Sequence, residues 1–264
     1  MTQRDTILTT SDLAVGYHDR KRDVTLLDGL NLQLRRGEMV ALLGRNGAGK
    51  STLLRALTLA EPPLKGIIML DGHDARSLSQ RQISRTIGLV TTSRQIMGEL
   101  TVRELAALGR QPHTGLLGRL DNADNDIVDQ ALRDAGISHK ADQNVSRLSD
   151  GERQKVMIAK ALAQETPAII LDEPTAFLDV ASRLETMALL HDLAHNRGKA
   201  ILLSSHDIAQ SLLLADRLWL ITADGALLDG PTDELADSKH MNTLFNNPNI
   251  AFNPTLQDFT TVNC

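Results

Sequence analysis

The chain has 264 residues, 42% of them hydrophobic and 23% charged, the balance of a globular protein with a full apolar core. Aromatic residues are only 2%, so Leu, Ile, Val and Ala must fill that core. A formal net charge of −5 argues against a nucleic-acid partner, and the single cysteine, Cys264, excludes an intramolecular disulfide and fits a reducing compartment.

The opening stretch "MTQRDTILTTSDLAVGYHDR" contains no long apolar run, so no signal peptide is expected. No run of apolar residues reaches the length that spans a bilayer. A cytoplasmic protein is expected, held at a membrane only through something else. The length admits one large domain or two small ones.

In chain order, "ILTTSDLAVGY" and "VTLLDGLNLQL" read as strands, the second broken at Asp-Gly. "EMVALLG" (38–44) is a short buried strand, followed by a glycine-rich turn and the helical "KSTLLRALTLA". "GIIMLDG" (66–72) and "TIGLV" (86–90) are further strands. From about 93 to 164 the pattern changes to helices and loops. "LTVRELAALGR" opens on a Thr101–Glu104 capping box, and "GLLGRLDNADNDIVDQALRDAG" is a loop running into a helix. "LSDGERQ" (148–154) starts another helix, capped by Ser149 and Glu152. Its Gly151 lies in the first turn, where glycine costs about 1 kcal/mol relative to alanine. A glycine there lets something approach the backbone closely, and if that something is an anion the chain has a second phosphate site.

After 165 strands and helices alternate: strand "AIILDE", helix 180–196, strand "AILLSSH", helix 207–214, strand "DRLWLIT" and a turn at Asp224-Gly225. The tail after Pro231 is rich in Asn and Asp, with a helix expected at "PTDELADS". Alternation of this kind indicates an α/β fold with a mainly parallel sheet. The antiparallel start and helical middle are additions to it.

The strongest chemical signal is "GRNGAGKS", a G-x-x-x-x-G-K-[ST] match placed after a strand and before a helix. Gly44, Arg45, Asn46, Gly47, Ala48 and Gly49 would curl backbone amides around phosphate oxygens, continuing into Lys50, Ser51 and Thr52. Lys50 would reach the β- and γ-phosphates, and the Ser51 hydroxyl would ligate Mg²⁺. In "AIILDE", Asp172 and Glu173 emerge at the carboxyl end of a buried strand, where open α/β sheets bind ligands. Asp172 is the candidate for the Mg²⁺ shell and Glu173 the candidate general base for an attacking water. His206 follows another buried strand, a position that capping or surface histidines also occupy. Tyr17, the one tyrosine, could stack on an adenine ring or simply pack.

Taken in order, these motifs resemble the ATP-binding cassette (ABC) ATPases over about residues 5–230, with "LSDGERQ" standing where that family carries its signature sequence. The resemblance implies a P-loop NTPase fold with an N-terminal antiparallel β subdomain and an inserted helical subdomain. One nucleotide-binding domain is then expected over 1–264, with the helical part about 93–164 and a C-terminal extension about 231–264. It also implies a head-to-tail homodimer binding two ATP molecules with Mg²⁺. Ser149 and the Gly151 amide would then meet the γ-phosphate of the ATP held by the other subunit, at a helix N-terminus suited to anions. By the same carry-over Tyr17 stacks on adenine, His206 contacts the γ-phosphate, and Asp179 in "AFLD" bridges the subunits.

The chain departs from the family in two places. Asp150 and Glu152 stand where glycine and glutamine are usual, adding negative charge beside a phosphate. Thr92 stands where a glutamine near Mg²⁺ is usual, with Gln95 close by. The segment "LTVRELAALGRQPHTG" (100–115), above all Gly109-Arg110-x-Pro112-His113, resembles ATPases of iron-chelate, haem and cobalamin importers. That implies permease subunits in the membrane, a periplasmic or surface substrate-binding protein, and a location on the inner face of the cell membrane. An exporter ATPase or a soluble ABC protein are the alternatives.

Overall fold

The computed structural model describes residues 6–19, 22–91, 99–115, 118–245 and 247–262. Its elements begin with β1 (Thr6–Asp19), β2 (Arg22–Leu30), β3 (Gln33–Arg35), β4 (Met39–Gly44) and α1 (Lys50–Leu57). β5 (Lys65–Leu70), β6 (His73–Asp74), α2 (Gln80–Thr86) and β7 (Ile87–Val90) follow. Then come α3 (Val102–Ala107), α4 (Asn122–Asp134) and α5 (Asp150–Ala163). The second half holds β8 (Ala168–Leu171), α6 (Val180–His195), β9 (Ala200–Ser204), α7 (Ile208–Leu214), β10 (Arg217–Ile221) and β11 (Leu227–Pro231). The chain continues through α8 (Thr232–Leu235), α9 (Ser238–Met241), β12 (Ile250–Asn253) and β13 (Asp258–Thr261).

The antiparallel sheet at the start has the order β2-β1-β5-β6, with β3 also on β1. The second sheet has the order β11-β10-β4-β9-β8-β7, parallel except for the β10–β11 edge pair. Its central strands are unbroken apolar runs, "MVALL", "AIIL" and "AILL", as strands covered on both faces must be. Because β4, β9 and β8 are neighbours, the segments leaving their carboxyl ends meet at one edge of the sheet. α1 fills the space between the two sheets through Leu53, Leu54 and Leu57. α6 covers a face of the parallel sheet with Met187, Leu190 and Leu193.

Three helices form a separate apolar cluster in which Val102 and Leu105 of α3, Val128 and Leu132 of α4, and Val156 and Ala159 of α5 are buried together. Each starts on a reciprocal capping box: Thr101 with Glu104, Asp121 with Asp124, and Ser149 with Glu152. The expected residue roles of Thr92 and Gln95 lie outside the described residues.

Two elements differ from the expectation. β2 runs through Asp28-Gly29 to Leu30, because Gly29 takes a left-handed φ of 67° and lets the strand bulge rather than end. The helix expected at "PTDELADS" is a four-residue turn, α8, because Asp237 accepts the His240 N–H and caps a new helix, α9. The remaining tail folds as the β12–β13 hairpin and buries Leu235, Met241, Leu244 and Phe252 against Ala41, Leu43, Leu218 and Leu220. The one tryptophan, Trp219 on β10, is fully buried beside Leu42 of β4, its indole N–H without a hydrogen-bond partner.

Candidate nucleotide site

The phosphate loop leaves β4 at Gly44 and enters α1 at Lys50. Gly47 and Gly49 hold φ of 79° and 99°, a region closed to most side chains. A Cβ on Gly49 would also sit 3.3 Å from Leu26 Cβ. The N-cap residue of α1, Gly49, has no side chain to accept from its first-turn amides. Lys50 is buried, and its Nζ donates back across the loop to Gly44 O at 2.8 Å and Arg45 O at 3.3 Å. Burial pushes its pKa down, opposed by the charges of Glu173 and then Asp172.

The neighbouring strands deliver the acidic residues. Ser204, the last residue of β9, donates its hydroxyl to Asp172 Oδ1 at 2.7 Å and accepts the Glu173 N–H at 2.8 Å. One hydroxyl thus sets both residues, using its donor and an acceptor lone pair. Glu173 has a φ of 51°, which turns the chain sharply out of β8. Its Oε1 lies 2.5 Å from His206 Nε2.

A cleft of about 600 Å³ joins these parts, lined among others by Asn46, Lys50, Ser51, Glu173, Phe177 and His206. Gly47, Gly49 and Thr52 also line it, and Asn46, with Gly44 and Arg45, also borders an adjoining hollow with Leu244 and Phe245 of the tail. Ala48 packs on the core. Tyr17 is exposed on β1 opposite Val24 and is not among the cleft's lining residues. Leu26 and Phe177 are, and neither is singled out by sequence reasoning. Phe177 could have been found, since it is a large apolar residue beside Asp179 in the quoted "AFLD".

Ser149 and Gly151 do not line this cleft. They form the start of α5, where Ser149 Oγ accepts the Glu152 N–H at 3.2 Å and Glu152 Oε2 accepts the Ser149 N–H at 3.0 Å. The close approach at Gly151 comes from within the chain. A Cβ there would lie 2.4 Å from Ser182 Oγ, so the first turn of α6 takes the space on the Cβ side of Gly151. Asp179 caps α6 by accepting the Ser182 N–H at 2.8 Å and its hydroxyl at 3.1 Å. The two carboxylates of "LSDGE" are engaged: Asp150 with Arg153 at 2.9 Å, and Glu152 with Lys140. The Lys140 hydrogen bond and then the Ser149 amide lower the pKa of Glu152 to about 2.

The Gly109–His113 run joins helices to the sheet. A Cβ on Gly109 would meet Lys160 O at 2.1 Å, so only glycine lets α5 pass. Arg110 is buried and donates to Asp124 at 2.8 Å, to Ala163 O at 2.8 Å and to Glu165 at 2.7 Å. Arg81 of α2 donates to the Pro112 and Thr114 carbonyls at 2.7 and 3.1 Å. Among the described residues no group of three or more His, Cys, Asp or Glu is placed to hold a metal, and no helix is long and apolar enough to cross a membrane.

A family model described as ABC transporter matches residues 27–176. The chain is 37% identical over 242 residues to the ferric enterobactin transport ATP-binding protein of Escherichia coli K12, covering 90% of this chain and 88% of that one. Among solved structures, an inward-facing ABC transporter described as of metal-chelate type is similar with a TM-score of 0.80 and 28% identity, over 97% of this chain and 96% of that one. A dimeric ATP-binding cassette in a post-hydrolysis state, bound to ADP and Pi, is similar with a TM-score of 0.74 and 25% identity, over 86% and 99% of the two chains. The chain therefore belongs to the ABC transporter family, as an ATP-hydrolysing subunit.

Proposed function

We propose that this subunit energises the uptake of a metal chelate, such as an iron chelate or cobalamin, through separate permease subunits. The likeness to the ferric enterobactin protein and to the metal-chelate transporter supports that cargo class. On this reading the whole chain is one nucleotide-binding domain, with a helical insertion about 93–164 and a tail from about 231. It works on the cytoplasmic face of the membrane, held there by the permease, with a substrate-binding protein delivering cargo from outside.

ATP would lie with its phosphates on the loop from Gly44 to Thr52, the triphosphate taking the amides of α1 and the Lys50 ammonium. Lys50 would exchange its carbonyl partners for phosphate oxygens. Ser51 and Asp172 would hold Mg²⁺, an ion that is commonly bound through one or two protein oxygens together with substrate phosphates and water. The ion would neutralise charge on the β- and γ-phosphate oxygens. Glu173, its backbone fixed by Ser204, would take a proton from the attacking water. His206 would orient that carboxylate and meet the γ-phosphate. Ser149 and the Gly151 amide would bind the γ-phosphate on the other subunit of a head-to-tail dimer, with Asp179 at the seam. Tyr17, at the exposed edge of β1, would stack on adenine.

The carrying observation is the single cleft that holds Lys50, Ser51, Glu173 and His206 together. Glu173→Gln is expected to keep ATP binding and to lower hydrolysis at least about a hundredfold, the loss typical of a missing general base. Hydrolysis at the parental rate would remove Glu173 from that role.

A further inference from the structure

The first turn of α5 raises a problem of charge. On the proposed reading it receives a phosphate through Ser149 and the Gly151 amide, yet it carries the carboxylates of Asp150 and Glu152. Acidic groups suit a helix N-terminus on its own, but beside an incoming anion they repel it. Protonation gives no relief for Glu152, whose pKa stands far below neutral pH.

We infer that Lys140 is a positioning residue for this phosphate site, pairing with the Glu152 carboxylate so that its charge is offset and held away while the start of α5 presents donors to the anion. The inference rests on the proposed cross-dimer role of Ser149 and Gly151.

The geometry supplies each step. Lys140 is the last residue of a 3-10 turn, Ser138–Lys140, that precedes the "LSDGERQ" stretch. Its Nζ donates to Glu152 Oε1, while Glu152 Oε2 accepts the Ser149 N–H at 3.0 Å. Both oxygens of the carboxylate are thereby committed. Because Ser149 supplies one of those bonds, the same contact fixes the residue proposed to touch phosphate. Both side chains are largely sheltered, 26% and 28% exposed, so the pair is screened less than a surface pair. Asp150 has its own cation in Arg153, which leaves Glu152 dependent on Lys140. The ordinary structural reading, a bridge that tethers the 3-10 turn to α5, predicts a loss on removing Lys140 that no change at Glu152 repairs.

The test uses the full chain in a Glu173→Gln background, following the ATP-dependent monomer–dimer shift by sedimentation velocity across a Mg-ATP titration. Ser149→Arg serves as the reference for the site itself. Lys140→Met is expected to raise the ATP concentration for half-dimerisation on the order of tenfold, and less so at high salt, where uncovered charge is screened. Adding Glu152→Gln to Lys140→Met is expected to return the midpoint to within about twofold of the parent, since the neutral amide needs no cation. If Ser149→Arg abolishes the dimer while Lys140→Met leaves the midpoint unmoved, the inference is wrong and the site stands. A loss on Lys140→Met that Glu152→Gln does not rescue also overturns it, because Lys140 then acts as a tether or as a phosphate ligand. If Ser149→Arg changes nothing, the signature reading itself fails and the inference falls with it.

Discussion

Gly151 shows how a single residue can carry two accounts. Its place in a helical first turn reads from sequence as room for a close approach, and on its Cβ side the structure puts Ser182. The amide N–H and the Cβ direction of one residue point different ways, so a glycine needed for packing can still present its N–H to a phosphate. Gly151→Ala would push a methyl against Ser182, whose Oγ and Cβ would lie 2.4 and 2.8 Å away. Overpacking of that kind typically costs about 1–3 kcal/mol, measurable by urea unfolding. Ser182→Gly should restore most of it. Ser182→Ala should restore less, because it keeps the Cβ. Equal rescue by the two would show that the hydroxyl alone is in the way. At this scale the legible features were those made within a few residues: the capping boxes and the glycines of the phosphate loop. The Ser204 hydroxyl that links Asp172 to Glu173, the Lys140 partner of Glu152 and the His206–Glu173 contact join residues 12 to 33 positions apart, and no spacing announces them.

Among the elements, the helices of the middle third and the buried strands were readable because caps and apolar runs are local signals. The tail was not. Its Asn- and Asp-rich sequence gives several competing caps, and Asp237 wins one of them, dividing the expected helix. The run from Gly109 to His113 marked a subclass of importers by likeness, and the structure gives it a mechanical part as well. Arg110 spans α4 and the end of α5, and the carbonyls after it accept from Arg81 on α2. Arg110→Met would leave Asp124 without its buried cation and the Ala163 carbonyl without its donor. Breaking a buried pair in this way costs roughly 3–5 kcal/mol. Urea unfolding of the variant should show a loss of that order, concentrated in the helices of the middle third when followed by hydrogen exchange. A uniform loss across both sheets would mean that the helices and the sheet do not unfold separately.

Taken whole, the molecule works by strand order. The phosphate loop lies more than a hundred positions before Glu173, and His206 lies 33 after it, and they meet because β4, β9 and β8 are adjacent in the sheet. Sequence alone supplied the parallel α/β class; the gathering of Lys50, Glu173 and His206 in one cleft followed only from likeness to a family, since strand order has no local signature. The tail belongs to this larger scale too. Phe252 is 4% exposed in the cluster under β4 and β10, and Leu244 and Phe245 reach the hollow beside Gly44 and Arg45. Phe252→Ala should lower stability by about 3–5 kcal/mol, the cost of emptying a buried aromatic site. ATP binding by the still-folded fraction should weaken with it, and unchanged affinity would show that the tail braces the fold without touching the phosphate loop. The sole tryptophan lies in a different core cluster, with Leu42 of β4 and Leu53, Leu54 and Leu57 of α1. Trp219 pairs with Leu42 two residues before the loop begins, fully buried and with its N–H unpartnered. The chain therefore carries one native indole fluorophore, blue-emitting while the core is closed, whose spectrum reads the strand that ends in the nucleotide's cradle without any attached dye.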